Sequence, residues 1–182
     1  MNTVQIRDLV LGEGIPKICV PITGRTREEI LGRLEEGKAS KPDLAEWRAD
    51  WYEGVQEEEK LQEILTALRE ELGGLPLLVT FRTRQEGGEQ EISEEAYERF
   101  LYQVLASGKA DLIDVELFMG EELLERISAQ AHEKGMFVVA SSHDFQKTPE
   151  KEELIRRLCR MQDLGADLLK IAVMPQNTGD VL

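Results

Sequence analysis

Two side chains in this sequence have the types and the placement to act on a carbonyl compound. Lys170 lies in the apolar stretch LLKIAVM, and His143 ends the apolar stretch FVVASSH. An amine among apolar neighbours and other cations is expected in its neutral form, which attacks ketones and forms Schiff bases. An imidazole nearby can take a proton from the carbon next to the imine and return it to a leaving group. The pair predicts imine-based acid–base catalysis.

Lys170 has a plainer interpretation, and the second histidine of the chain needs one of its own. A strand lysine usually extends its amine to solvent from an edge, but the helical pattern before Lys170 and the apolar residues after it argue against this. The other histidine, His132, lies in AQAHEKG, which is typical of the last turn of a helix. A cation there complements the helix dipole, so we interpret His132 as a surface residue.

The elements that position these side chains alternate along the chain. Short apolar runs, each typical of a buried strand, begin 25 to 35 residues apart, close to the roughly 30 residues of a strand–helix–strand unit. Such alternation indicates a parallel sheet. The runs open near Ile18, Leu44, Leu77, Leu112, Phe137 and Leu168.

Helical patterns separate the runs. One predicted helix face is formed by Leu61, Ile64, Leu65, Leu68 and Leu72, and another by Leu154, Ile155, Leu158 and Cys159. Thr26 with Glu29 resembles a capping box, and Pro149 is expected in the first turn of a helix. Gly73 and Gly135 are expected where helices end.

Charged residues on the predicted strands favour a barrel over a doubly wound sheet. Strands covered by helices on both faces are apolar throughout, whereas here charged and apolar residues alternate. A one-sided sheet with a wet face fits too, but parallel sheets rarely expose a face. We therefore predict a (β/α)₈ TIM barrel of which this chain, as one domain, covers roughly the first six units. The inward set is Glu46, Arg48, Arg82, Asp114, Glu116 and Lys170.

So many inward charges predict a polar active site, because buried charges persist only when paired. For Asp114 and Glu116, pairing that merely fills the barrel is an equal alternative. Arg82, at a strand end, suits a substrate carboxylate. Glu86, in the loop that follows, is a candidate to orient His143, although loop acids are more often solvated.

The composition of the chain narrows the classes of partner that it is expected to bind. The 182 residues carry a net charge of −14 with a pI near 4.7, which disfavours nucleic acid and membrane surfaces. No stretch reaches the roughly 18 apolar residues of a membrane span. Cys19 and Cys159 are expected to be buried free thiols in a reducing cytoplasm; a disulfide is the alternative.

Five motifs together resemble type I 3-dehydroquinate dehydratases of the shikimate pathway. They occur in the family's order and at its spacing, and they span every predicted strand from the second to the sixth. The motifs are EWRAD at 46–50, TFRTRQEGG at 80–88, IDVELF at 113–118, SSHDF at 141–145 and LLKIAVMPQ at 168–176. The resemblance implies a cytoplasmic, homodimeric (β/α)₈ lyase without cofactor or metal. Its substrate would be 3-dehydroquinate and its product 3-dehydroshikimate, formed by syn elimination.

The resemblance also implies residue roles. Lys170 would form the imine with the substrate ketone. His143 would remove the adjacent proton and protonate the departing hydroxyl, and Glu86 would partner the histidine. Glu46, Arg48 and Arg82 would contact the substrate's hydroxyl and carboxylate groups.

The sequence departs from the family pattern in two places. Some members offer a serine where this chain has Pro21, so no contact is assigned there. The chain also stops at Leu182, whereas a complete barrel has eight strands and about 250 residues. The family's last two strands supply a further arginine and a lid loop with serine and glutamine.

Two alternatives to the dehydratase follow. The first is a truncated, inactive barrel fragment with a binding or assembly role, since six strands leave two unpaired edges and an open site. The second is a class I aldolase, which shares the barrel and the imine lysine. It is disfavoured because aldolases do not combine EWR with SSHDF in this order.

Overall fold

Six parallel strands form one sheet in the computed structural model, which describes residues 3–181. Their spatial order is the order of the sequence, whereas a doubly wound sheet reverses its strand order at a switch point. The barrel prediction is therefore confirmed. The strands are β3 (Cys19–Ile22), β4 (Leu44–Arg48), β5 (Leu77–Thr80), β6 (Leu112–Glu116), β7 (Phe137–Asp144) and β8 (Leu168–Val173).

A helix follows each of the first five strands of this sheet. They are α1 (Arg27–Lys38), α2 (Glu58–Leu72), α3 (Glu94–Ser107), α4 (Glu121–Glu133) and α5 (Lys151–Asp163). The predicted apolar face of α2 is buried. No helix within residues 3–181 has the length and apolar character needed to cross a bilayer.

The strands have the expected two faces. Ala45 and Trp47 point outward into the core beneath the helices, while Glu46 and Arg48 lie on the inner face of β4. The inner face changes character along the strands. Its lower end, where the strands begin, is an apolar cluster formed by Leu44, Leu78, Leu112 and Val139. Its upper end carries the charged residues.

A hairpin that the sequence reasoning missed covers the lower end. Strands β1 (Val4–Ile6) and β2 (Leu9–Leu11) pair antiparallel, and Ile6 and Leu9 join the inner apolar cluster. The turn places Arg7 at a φ of 52°. The signal was the pair of short apolar runs VQI and LVL on either side of Arg7 and Asp8.

Helix boundaries agree with the sequence at three sites. The Thr26 hydroxyl accepts the Glu29 N–H, Gly73 ends α2, and Gly135 follows α4 with a φ of 70°. The Pro149 prediction is wrong by two residues: Glu150 is the N-cap, and α5 begins at Lys151.

The predicted burial of both cysteines is wrong. Cys19 and Cys159 are free, and both are exposed. Cys19 lies on β3, at one edge of the sheet, and Cys159 lies on α5, which packs against β8 at the other edge. Ile155 of the same helix is 49% exposed. Elements at the two edges have a neighbour on one side only within residues 3–181, so their side chains are less covered.

Candidate active site

Strand register brings the predicted lysine and histidine together. Lys170 on β8 lies beside Ser141 on β7, and His143 follows two residues later beside Ala172. Because side chains two residues apart share a face, Ser141 and His143 both point to the barrel interior. Lys170 is half-buried on the same inner face.

The imidazole of His143 is paired with a buried acid. Its Nδ1 lies 2.7 Å from Oε2 of Glu86, and their side chains are only 7% and 6% exposed. Burial, reinforced by the charges of Arg82 and Lys170, lowers the pKa of His143 to about 4. The ring is therefore neutral at physiological pH. With Nδ1–H donating to Glu86, the lone pair is on Nε2, as a general base requires.

Glu86 is held in place by the turn that follows β5. The hydroxyl of Thr83 caps the single helical turn Arg84–Glu86, and Gly87 ends that turn in the left-handed conformation. Burial raises the pKa of Glu86 to about 7, although the charge of Arg82 opposes the shift. This loop acid is thus buried in the site instead of solvated.

The guanidinium of Arg82 is surrounded by acceptors. Nη1 donates to Glu116 Oε1 at 2.7 Å, to Ser141 Oγ at 2.9 Å and to Glu86 Oε2 at 3.3 Å. Nη2 donates to Asp114 Oδ1 at 2.8 Å. Burial lowers the pKa of Arg82, but the carboxylates of Asp114 and Glu116 more than offset this and raise it, so the group stays charged.

The two acids of β6 have different surroundings. Glu116 accepts the backbone N–H and the hydroxyl of Thr83 at 2.9 and 2.7 Å, besides Arg82. Asp114 accepts the Ser141 hydroxyl at 2.8 Å, but its Oδ2 is buried without a hydrogen-bond partner. Burial, followed by the charge of Glu86, raises the pKa of Glu116. Through its two bonds to Thr83, Glu116 fixes the start of the loop after β5.

Strand β4 supplies the remaining predicted residues. Glu46 accepts the Thr80 hydroxyl at 2.8 Å. Arg48 forms a two-pronged ion pair with Asp50, with Nε–Oδ1 at 2.9 Å and Nη2–Oδ2 at 3.0 Å. Both inner-face side chains remain partly exposed. Pro21 lies beside Glu46 in the register of β3.

Sequence reasoning missed four polar residues of this site, although it quoted the motifs that contain them. A period of two would have found Ser141, which shares the inner face with His143. Asp50 follows Arg48 by two residues, but it lies in the turn Ala49–Trp51, where strand periodicity no longer applies. The same period places Thr80 on the inner face with Arg82, whereas Thr83, which caps the turn after β5, had no recognisable signal.

Known proteins match this chain over nearly its whole length. The profile of the family described as Type I 3-dehydroquinase matches residues 18–182. The 3-dehydroquinate dehydratase of Syntrophotalea carbinolica is 50% identical over 182 residues, which cover 100% of this chain and 72% of that protein. The chain belongs to the type I 3-dehydroquinase family.

Solved structures of this family agree with the fold. The crystal structure of the type I 3-dehydroquinate dehydratase from Clostridium difficile with covalent modified comenic acid has a TM-score of 0.96 at 48% identity. The match covers 99% of this chain and 71% of that one. The enzyme from Enterococcus faecalis has a TM-score of 0.94 at 42% identity, covering 98% and 74%. The chain thus spans about 70% of the length of its relatives.

The aldolase alternative has weaker support. A deoxyribose phosphate aldolase from Aeropyrum pernix has a TM-score of 0.57 at 17% identity, covering 86% of this chain and 62% of that one. A match at that identity shows a shared fold alone. The five sequence motifs and the 50% identical relatives favour the dehydratase.

Proposed function

We propose that this chain dehydrates 3-dehydroquinate to 3-dehydroshikimate through an imine on Lys170. The observation that carries the proposal is the His143–Glu86 pair at 2.7 Å, on the inner face of the strand next to Lys170. The amine of Lys170 beside a neutral, carboxylate-oriented imidazole provides both groups that imine-based elimination requires.

The proposed reaction has four stages. The Lys170 amine adds to the substrate ketone, and water leaves to form the imine. Nε2 of His143 takes a proton from the carbon next to the imine, which gives an enamine. The enamine expels the hydroxyl of the following carbon, protonated by His143, and water then hydrolyses the conjugated imine to release product and free amine. One water is consumed and two are released, so the net change is loss of one water.

Glu86 has an orienting role in this proposal. Its carboxylate holds Nδ1 and leaves Nε2 directed away from it, into the barrel. It also stabilises the imidazolium that forms after proton abstraction, as a carboxylate behind a catalytic histidine does.

Glu46, Arg48 and Arg82 are proposed to bind the substrate's hydroxyl and carboxylate groups. The partial exposure of Glu46 and Arg48 on the inner face supports contact with a ligand. Arg82 is 4% exposed and already engaged by four acceptors. Its larger contribution is therefore to neutralise the acids around it, and any substrate contact is added to that.

The family likeness also leads us to infer a homodimer and a cytoplasmic location. The chain has a mass of 20.6 kDa, so sedimentation velocity should show a species of twice that mass. A monomer across micromolar concentrations would contradict the dimer. Cell fractionation would test the location.

Reductive trapping tests the proposed reaction. Borohydride added with 3-dehydroquinate should fix the ligand skeleton onto Lys170, since imines reduce to stable amines. Peptide mapping by mass spectrometry locates the adduct. Lys147→Ala, which removes an exposed lysine just beyond β7, is the matched control and should still form it. No adduct, or an adduct on another lysine, would rule out the proposal.

A further inference from the structure

Asp50 is a fully buried carboxylate in the turn Ala49–Trp51, which follows β4 directly. Each of its oxygens accepts two hydrogen bonds. Oδ1 accepts from Arg48 Nε at 2.9 Å and from the backbone N–H of Arg82 at 3.2 Å. Oδ2 accepts from Arg48 Nη2 at 3.0 Å and from the backbone N–H of Glu89 at 3.1 Å. Its hydrogen-bonding capacity is therefore used in full.

The first pair of bonds fixes the guanidinium of Arg48. Two parallel bonds between a planar guanidinium and a carboxylate define the plane as well as the position of the group. Arg48 is 23% exposed, whereas Asp50 is 0% exposed, so the arginine and not the aspartate is accessible from the barrel interior. Without Asp50, the long side chain of Arg48 would regain the rotamers that the pair removes.

The second pair of bonds holds both ends of the loop that carries Glu86. Arg82 begins this loop and Glu89 lies near its end. The loop closes tightly on itself: a Cβ on Gly88 would lie 1.8 Å from the backbone oxygen of Arg82. Gln90 adds a bond from its side chain to the backbone oxygen of Tyr52 at 3.1 Å. The segment after β4 thus anchors the loop that orients His143.

We propose that Asp50 is a positioning residue that sets both Arg48 and the loop 82–89 for substrate binding. It acts through these groups and does not touch the substrate. The identity of the substrate in this inference rests on the proposed function, whereas the positioning of Arg48 and the loop rests only on the contacts of Asp50. The two can be tested separately.

The functional test compares Asp50→Asn with a matched variant at the opposite end of the barrel. Asparagine replaces one carboxylate oxygen of Asp50, which accepts hydrogen bonds, with an NH₂ group. That group is a donor and would face the N–H groups that Asp50 now binds. The concentration of 3-dehydroquinate that gives half-maximal borohydride trapping should rise about tenfold, with the maximal adduct unchanged. Asp43→Asn removes a carboxylate that accepts the Ile18 N–H at 2.6 Å and should leave that concentration unchanged.

A double-substitution cycle separates positioning from general loss of structure. Because Asp50 acts partly through Arg48 and partly through the loop, the loss of binding in Arg48→Ala combined with Asp50→Asn should be smaller than the sum of the two single losses. An additive loss, or an Asp50→Asn variant with the original half-maximal concentration, would overturn the proposal.

A measurement on the unsubstituted chain needs neither substrate nor a variant that folds. The Arg48 Nε–H signal in nitrogen-15 NMR should exchange slowly with water, whereas that of Arg84, whose side chain is 60% exposed, should exchange fast. Equal exchange rates would overturn the proposal. If the unsubstituted chain forms no adduct yet Arg48 is protected, the proposed reaction fails and the role of Asp50 in holding Arg48 stands.

Discussion

The two histidines of this chain are each paired with a carboxylate, at opposite ends of the barrel. His143 meets Glu86 at 2.7 Å where the strands end, and His132 meets Asp167 at 2.9 Å where the strands begin. The distances are nearly equal, but the exposures are not. The side chains of the upper pair are 7% and 6% exposed, and those of the lower pair are 44% and 20% exposed.

Burial gives the same kind of histidine–carboxylate contact different acid–base properties at the two ends. In the upper pair, loss of solvent disfavours both charged forms, which lowers the pKa of His143 and raises that of Glu86. In the lower pair, water screens the contact, and Asp167 also accepts the Val138 N–H at 2.7 Å. The upper pair has the features that the proposed proton transfer requires, and the lower pair joins a helix end to a strand.

The carboxylates at the two ends of the barrel also differ in the groups that they bind. Three aspartates that each precede a strand accept a backbone N–H within one residue of the start of the previous strand: Asp43 from Ile18, Asp111 from Leu77 and Asp167 from Val138. At the upper end three acids share one guanidinium, that of Arg82. The lower acids bind backbone N–H groups, whereas the three upper acids share a single cation.

Replacement of the upper histidine should have the largest effect on turnover. His143→Ala should still form the trapped adduct but lose about 10²–10⁴-fold in turnover, the usual contribution of a general acid–base group. Turnover is followed by the absorbance of the conjugated product. His132→Ala is the matched control and should keep the original rate. Near-normal turnover of His143→Ala would assign the proton transfer to another residue.

Removal of the shared guanidinium should mainly affect stability. Arg82→Ala leaves three buried carboxylates without their cation, and breaking a buried ion pair from one side costs about 3–5 kcal/mol. Chemical denaturation measures the loss. Arg84→Ala, at an exposed position in the same loop, should change the free energy of unfolding by less than about 0.5 kcal/mol. If Arg82→Ala instead kept its stability and only bound ligand more weakly, Arg82 would be chiefly a substrate contact.

At the lower end, Asp111→Asn should lower stability without changing the chemistry. Asp111 binds Arg7 at 2.6 Å, and it binds Arg69 and the Leu77 N–H at 2.8 Å. Loss of its charge should cost about 1–3 kcal/mol in the free energy of unfolding. Below the melting transition, adduct formation on Lys170 should be unchanged. Reduced trapping in the folded variant would show that the two ends of the barrel are coupled.

The smallest effect is expected in the pH dependence of turnover, which the His143–Glu86 pair should control. Turnover should rise through about pH 7 as Glu86 ionises and makes Nε2 of His143 more basic, and Glu86→Gln should lose this inflection. Because the two groups are coupled, the inflection belongs to the pair. An inflection that persists in Glu86→Gln would assign it elsewhere.

The same pair should contribute little to the pH dependence of stability. The lowered pKa of His143 gives a contribution that is lost as pH falls from 6.5 to about 4. The raised pKa of Glu86 gives one that is lost as pH rises from 4.5 to about 7. These changes oppose each other. Glu86→Gln removes the second, so its melting temperature should fall more steeply below pH 6 than that of the unsubstituted chain.

The sequence by itself determined the strand order of the sheet and which side chains face its interior. Both follow from local rules. Strand–helix alternation requires parallel strands, and the period of two assigns each residue to a face. Charged residues on one of those faces favour the sequential order of a barrel over that of a doubly wound sheet. Glu46, Asp114 and Lys170 were placed on the inner face in this way. The chemistry of an amine beside an imidazole also follows from residue types.

Only the tertiary structure decided how those charges are shared and how deeply they are buried. Arg82 meets Asp114 and Glu116, 32 and 34 residues away in sequence, because three strands and a loop converge at one end of the barrel. The exposure of Cys19 and Cys159 depends on their place at the edges of the sheet. The role of Asp50 depends on backbone N–H groups, which every residue except proline carries and no sequence pattern distinguishes. Non-local contacts and burial are properties of the folded chain, and in this protein they separate His143, whose side chain is 7% exposed, from His132, whose side chain is 44% exposed.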